Sequence, residues 1–94
     1  MSMSIYGQLA EQIIREQENI IGPVAIEQAE HVPGVKVNMP KHEVQLEGDE
    51  KEVLEKLIGQ YRDFFGHVAV EVCRDAVRSM KPSLKPEEIP DILK

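Results

Sequence analysis

Two pairs of residues have the types and the spacing that a metal site would use. Glu27 and His31 are four residues apart, and so are His67 and Glu71. On a helix this spacing places both side chains on one face, one turn apart, where a carboxylate and an imidazole can share a metal ion. These four residues form a candidate metal or small-ligand site. The alternative interpretation is a set of surface ion pairs.

Other motifs that would indicate catalysis are missing from the sequence. It contains no glycine-rich phosphate loop, no serine nucleophile elbow, no HExxH and no CxxC. Cys73 is the one cysteine, and no histidine is placed in sequence to activate it, so we interpret it as a small buried apolar residue. We therefore predict no catalytic residue and no cofactor.

The same pattern occurs twice in the chain, 44 residues apart, in residues 20–27 and 64–71. Each copy reads as two bulky apolar residues, a glycine, one variable residue, Val-Ala, a β-branched residue and a glutamate. Because the differing positions also keep their character, the pattern predicts a duplicated helical unit. We expect the two copies to be related by a pseudo-twofold axis.

Small residues recur in each copy with the spacing i, i+3 and i+7. They are Gly22, Ala25, Ala29, Gly66, Ala69 and Cys73. Helices that meet through small residues approach closely and gain dispersion contacts, so we predict that the copies cross along these two strips. The alternative is that Gly22 ends a helix and that Gly66 is a tolerated defect costing about 1 kcal/mol relative to alanine.

The apolar spacing from Ile5 predicts a helix over residues 4–21. Gly22-Pro23 interrupts it, because Pro23 has no N–H to donate, and a second helical piece should run from Val24 to about Glu30. Val32-Pro33-Gly34 is typical of a type II turn.

Alternating apolar residues then predict a short β-hairpin. Its apolar side consists of Val35, Val37, Met39, Val44 and Leu46. A two-stranded ribbon is marginal alone, so we expect this side to lie on the helices or to pair with another chain.

Asp49, with Glu52 three residues later, predicts the start of a long helix that runs to about Met80. Its apolar arc covers nearly half of the circumference, more than the arc of about 100° that one packing partner needs. We therefore expect a second partner, and the candidate interface residues are Phe64, Phe65, Val68 and Val70.

These elements make one α-β-β-α domain over residues 1–81, followed by a proline-containing tail over residues 82–94 that we expect to dock. The predicted fold class is α+β and mainly helical, with a kinked helix, a short hairpin, a long helix and a short tail. A chain of 94 residues has a small core, which favours a homodimer with an isologous contact.

Composition limits the class of partner. The net charge of −6 disfavours nucleic acid, and no apolar run has the length of about 20 residues that spans a membrane. The N-terminal residues lack the features of a secretion signal, so we expect a cytoplasmic protein.

We predict a non-catalytic interaction or regulatory module that acts as a homodimer and uses its tail or a groove for a protein partner. A metal-binding or small-ligand-binding protein is the alternative. A small enzyme with its site at a dimer interface is the weaker one.

Overall fold

The computed structural model describes residues 3–81 and 83–94. Met1, Ser2 and Pro82, where the predicted tail begins, lie outside the described residues, and so does the side chain of Met39, which we had assigned to the apolar side of the hairpin.

Helix α1 spans Ile5–Ile21 and helix α2 spans Val24–Glu30. The side chain of Ser4 begins α1 by accepting a hydrogen bond from the Gly7 N–H, which satisfies a donor that has no partner within the helix. The predicted interruption at residues 22 and 23 is confirmed. Leu9, Ile13 and Ile14 of α1 are completely buried, so its apolar face supplies much of the core.

Strands β1 (Val35–Asn38) and β2 (Glu43–Leu46) form an antiparallel hairpin in which Val35 pairs with Leu46. Gly34 has φ +91°, and the Val35 N–H donates to the Val32 carbonyl at 3.1 Å, as the predicted turn requires. Val44 and Leu46 are buried because α1 packs against β2. The hairpin therefore lies on the helices of its own chain.

Helix α3 spans Glu50–Phe65 and helix α4 spans His67–Ser79. The side chain of Asp49 begins α3 by accepting from the Glu52 N–H at 3.2 Å. The predicted long helix is thus two helices, because Gly66 adopts φ +88° and ψ −167°, which no residue of an α-helix can have. The molecule is α+β and mainly helical, as predicted.

Both helix pairs break at a glycine in the same way. Gly22 has φ +78° and ψ −162°, close to the angles of Gly66. In each case the glycine N–H bonds the carbonyl four residues earlier, at 2.8 Å from Gly22 and 2.7 Å from Gly66. Each glycine carbonyl then accepts from an alanine three residues later at 3.0 Å. The 44-residue offset therefore relates two identical breaks, while the twofold relation between the halves stays a prediction.

The C-terminal segment lies against α3 and α4 in two 3₁₀ turns, Pro86–Glu88 and Asp91–Leu93. Pro90 and Leu93 are buried there, and the part of the chain that the structure describes contains no helix with the length and apolarity needed to cross a membrane.

Candidate interaction surface

Two buried hydrogen bonds hold the helix pairs together, and they are related by the same offset. The Gln17 Nε2 of α1 donates to the Ala69 carbonyl of α4 at 3.1 Å. The Tyr61 hydroxyl of α3 donates to the Ala25 carbonyl of α2 at 2.6 Å. Gln17 and Tyr61 are 44 residues apart, as are the two alanines, so each half of the chain bonds the other half reciprocally.

These bonds place the last turn of α1 beside the first turn of α4, and the last turn of α3 beside α2. We call these two places the junctions. Cys73 lies at the first junction, because its Sγ is 3.7 Å from the Gln17 Nε2. Ala25, Tyr61, Ala69 and Cys73 all belong to the same buried core, so the two junctions adjoin one buried centre.

The small residues predicted to form a close crossing divide into two groups. Ala25, Ala29, Ala69 and Cys73 are completely buried, as a packed strip requires. A Cβ added at Gly22 or Gly66, however, would meet no described atom within 4 Å. The close contact predicted at the two glycines is therefore not found among the described residues. Their positive φ angles, which L-residues rarely adopt, explain why glycine stands there.

Apolar side chains reach the surface at both junctions. Ile20, three residues after Gln17, is 53% exposed, and Val68, just before Ala69, is 57% exposed. Phe64, three residues after Tyr61, is 49% exposed, and Val24, just before Ala25, is partly buried. These four residues are the junction surface. Ile20, Phe64 and Val68 are the large hydrophobic residues that the described part of the chain exposes, so they are the candidate residues for an interaction site.

The predicted interface residues differ in their exposure to solvent. Phe64 and Val68 belong to the junction surface, whereas Phe65 is partly buried and packs on the core. Val70 is 4% exposed and is itself a core residue, because the break at Gly66 changes the direction of the helix after it. Ile20 is the surface residue that the sequence interpretation missed.

The four candidate metal ligands do not form a ligand set. Within residues 3–81 and 83–94, no three His, Cys, Asp or Glu side chains lie close enough to hold a metal ion. His67 Nε2 lies 3.4 Å from Glu71 Oε1, and Glu71 is also paired with Arg74. Glu27 and His31 are exposed on and just after α2. The helical spacing thus places His67 and Glu71 side by side on the surface, and the ion pair that Glu71 makes is with Arg74, one turn later on the same helix.

Glu11 is a buried carboxylate that the sequence interpretation did not single out. It lines a shallow cavity of about 440 Å³ with Gln8, Gln12 and Arg15. Arg15 binds one carboxylate oxygen at 3.0 Å. The other oxygen is completely buried, and His42 Nδ1 lies 3.6 Å from it. This second oxygen accepts no hydrogen bond from a described residue, so the Glu11 carboxylate is held by Arg15 of the same helix, with His42 of the hairpin turn nearby.

Cys73 also lacks the surroundings of a reactive thiol. Burial raises its pKa to about 12, although a hydrogen bond from Gln17 acts in the opposite direction. A thiol with this pKa stays protonated at neutral pH and is a poor nucleophile. Its role at the centre of the junctions is therefore packing.

Comparison of the chain with known protein families, with curated proteins and with solved structures finds no match. The assignment of function must therefore come from the geometry of the junction surface itself.

Proposed function

We propose that this protein is a small non-catalytic interaction module of the cytoplasm that forms a homodimer through the junction surface. The observation that carries the proposal is the exposure of Ile20, Phe64 and Val68 at two reciprocal junctions of one fold. Water contact at these side chains is unfavourable, and burial against the same surface of a second copy removes it. The two junctions are related by the 44-residue repeat, which also suits an isologous contact, in which both copies use the same residues.

The free energy that burial of these side chains can contribute indicates a weak dimer. Completing the burial of a large apolar side chain that is about half exposed contributes roughly 1 kcal/mol. Several such side chains from each copy oppose an association cost of about 4 kcal/mol or more. We therefore expect dissociation in the millimolar range or weaker, and dimers that form only at high concentration.

The test is molecular mass in solution, measured by light scattering or sedimentation from about 10 μM to about 10 mM. The wild-type chain should change from monomer to dimer across this range. Phe64→Ser should move the transition to higher concentration by about tenfold, since it removes more than 1 kcal/mol from a symmetric contact. Gln45→Ser, a change of an exposed residue on the hairpin, is the matched control and should leave the transition in place.

A wild-type chain that stays monomeric across the whole range would refute the proposal. An equal shift by Phe64→Ser and Gln45→Ser would refute the assignment of the dimer to the junction surface.

A further inference from the structure

The C-terminal segment, residues 85–94, lies in a groove between α3 and α4 that binds it mainly through its backbone. Lys51 Nζ donates to the Glu87 carbonyl at 3.0 Å, and Arg74 Nε donates to the Leu93 carbonyl at 3.2 Å. Glu55 Oε1 accepts from the Asp91 N–H at 3.1 Å. Side chains of the helices thus bind three main-chain atoms of the segment. This is how a protein holds a peptide, with main-chain hydrogen bonds giving affinity and side-chain pockets giving specificity.

The apolar contacts of the segment complete this arrangement. Pro90 is completely buried and Leu93 is 6% exposed, while Ile89 and Ile92 are partly buried and pack on the core. A cavity of about 200 Å³ beside Leu93 is lined by Arg74, Val77 and Arg78. The groove therefore has an apolar floor for Pro90 and Leu93 and cationic side chains at its edge. Arg74 and Arg78 are themselves paired with Glu71 and Asp75 of α4, so the apolar floor and the main-chain hydrogen bonds account for the fit.

The connection between α4 and the segment is not part of these contacts. Lys81 and Ser83 are exposed, while Leu84 is partly buried and packs on the core. The described residues of the connection, 81, 83 and 84, make no hydrogen bond to another described residue. None of the three polar contacts requires that the segment and the groove belong to the same chain.

We propose that this groove also accepts the C-terminal segment of a second copy, so that two copies exchange tails. A second copy is the occupant for which the fit is already shown, because its segment has the same sequence and can make the same contacts. Exchange of an identical element is a route to association that creates no new interface within the groove. This contact is separate from the junction surface and does not depend on the proposed function.

The test mixes two full-length variants with complementary defects. Variant one carries Leu93→Asp, which removes the buried anchor from the tail and leaves the groove intact. Variant two carries Glu55→Lys and Arg74→Glu. These substitutions replace the hydrogen-bond acceptor of the groove with a donor and its donor with an acceptor, and they leave the tail intact. Both also carry Phe64→Ser, so that association through the junction surface does not contribute to the measured mass. Circular dichroism establishes that each variant is folded.

Each variant alone should remain monomeric, and the mixture should contain a species with twice the mass of one chain. A control mixture in which variant two also carries Leu93→Asp should show no such species. If both variants are folded and the first mixture stays monomeric up to the highest soluble concentration, the proposal is overturned. It is also overturned if the control mixture associates to the same extent, since the tail would then not be the contact.

Discussion

Substitution of Gly66 tests whether the break between α3 and α4 is set by backbone geometry or by close packing. The angles φ +88° and ψ −167° lie in a region that only glycine occupies readily. Alanine must therefore either accept this strain or change the angles and move α4. Because an added Cβ meets no described atom within 4 Å, the strain should be the whole effect.

The expected loss for Gly66→Ala is about 1–3 kcal/mol in the free energy of unfolding. For a domain of this size each 1 kcal/mol lowers the melting temperature by about 4–8 °C. Gly66→Leu should cost about the same as Gly66→Ala, since the larger side chain also extends into open space. A close helix crossing would instead add an overpacking cost of about 1–3 kcal/mol for leucine alone.

Gly59→Ala is the matched control. Gly59 lies inside α3, and the nearest described atom to an added Cβ is the Arg62 Nη2 at 3.8 Å, an ordinary contact. Alanine should stabilise that helix by about 0.5–1 kcal/mol. The two glycine substitutions should therefore change stability in opposite directions.

The assay is equilibrium unfolding in urea followed by circular dichroism, with thermal melting as a second measurement. The reasoning fails if Gly66→Ala is as stable as the wild type while Gly59→Ala behaves as expected. It also fails if Gly66→Leu is far less stable than Gly66→Ala, because a neighbour would then have to lie close to the glycine.

Three further predictions concern the centre of the junctions. Tyr61→Phe removes the hydrogen bond to the Ala25 carbonyl and should lower the free energy of unfolding by about 1 kcal/mol. Tyr6→Phe, a change of a partly exposed residue, is the control. Equal effects of the two substitutions would contradict the importance of the buried bond. Since burial raises the pKa of Cys73 to about 12 from 9.0, the folded protein should react with a thiol reagent at pH 8 at least about 100-fold more slowly than the unfolded chain, and equal rates would show that the thiol is accessible. Because the pKa of Cys73 is raised in the folded state, its contribution to the free energy of unfolding is fully present below pH 9.0 and is lost as the pH rises above that value. Urea unfolding of Cys73→Ala should therefore show a smaller loss of stability at high pH than the wild type.

Local signals in the sequence located most of the secondary structure. Pro23 stops α1 for a reason that any sequence shows, the missing N–H, and Pro33-Gly34 forms the turn that its residue types favour. Asp49 caps α3 as expected, and the alternation of apolar residues placed both strands. Each of these features depends on a few neighbouring residues.

The break at Gly66 was missed because the apolar spacing continues through it. Residues on both sides of Gly66 fit one helical arc, and no proline marks the interruption. The available signal was the repeat itself, since Gly66 is the counterpart of Gly22, where the chain visibly breaks. Val70 was assigned to an interface on the assumption of one continuous helix, whereas it is a core residue of α4.

The candidate site was less accessible to sequence reasoning. Gln17 is polar, as surface residues usually are, yet it is completely buried because its carboxamide donates to the Ala69 carbonyl in the other half of the chain. Its counterpart in the repeat is Tyr61, and that alignment was the signal that could have identified it. Exposure of Ile20 depends on how far α4 covers the end of α1, which no local pattern determines.

The reciprocal bonds of Gln17 and Tyr61 have a consequence for any attempt to divide the chain. A fragment with only α1 and α2 would keep the Gln17 donor and the Ala25 acceptor but lose both of their partners, and each would face water or an incomplete core. Two identical fragments of this kind could form two equivalent bonds, each from the Gln17 of one to the Ala25 carbonyl of the other, only if residue 17 of one could reach residue 25 of the other. The present chain supplies this second half covalently, at a local concentration that no free fragment would reach.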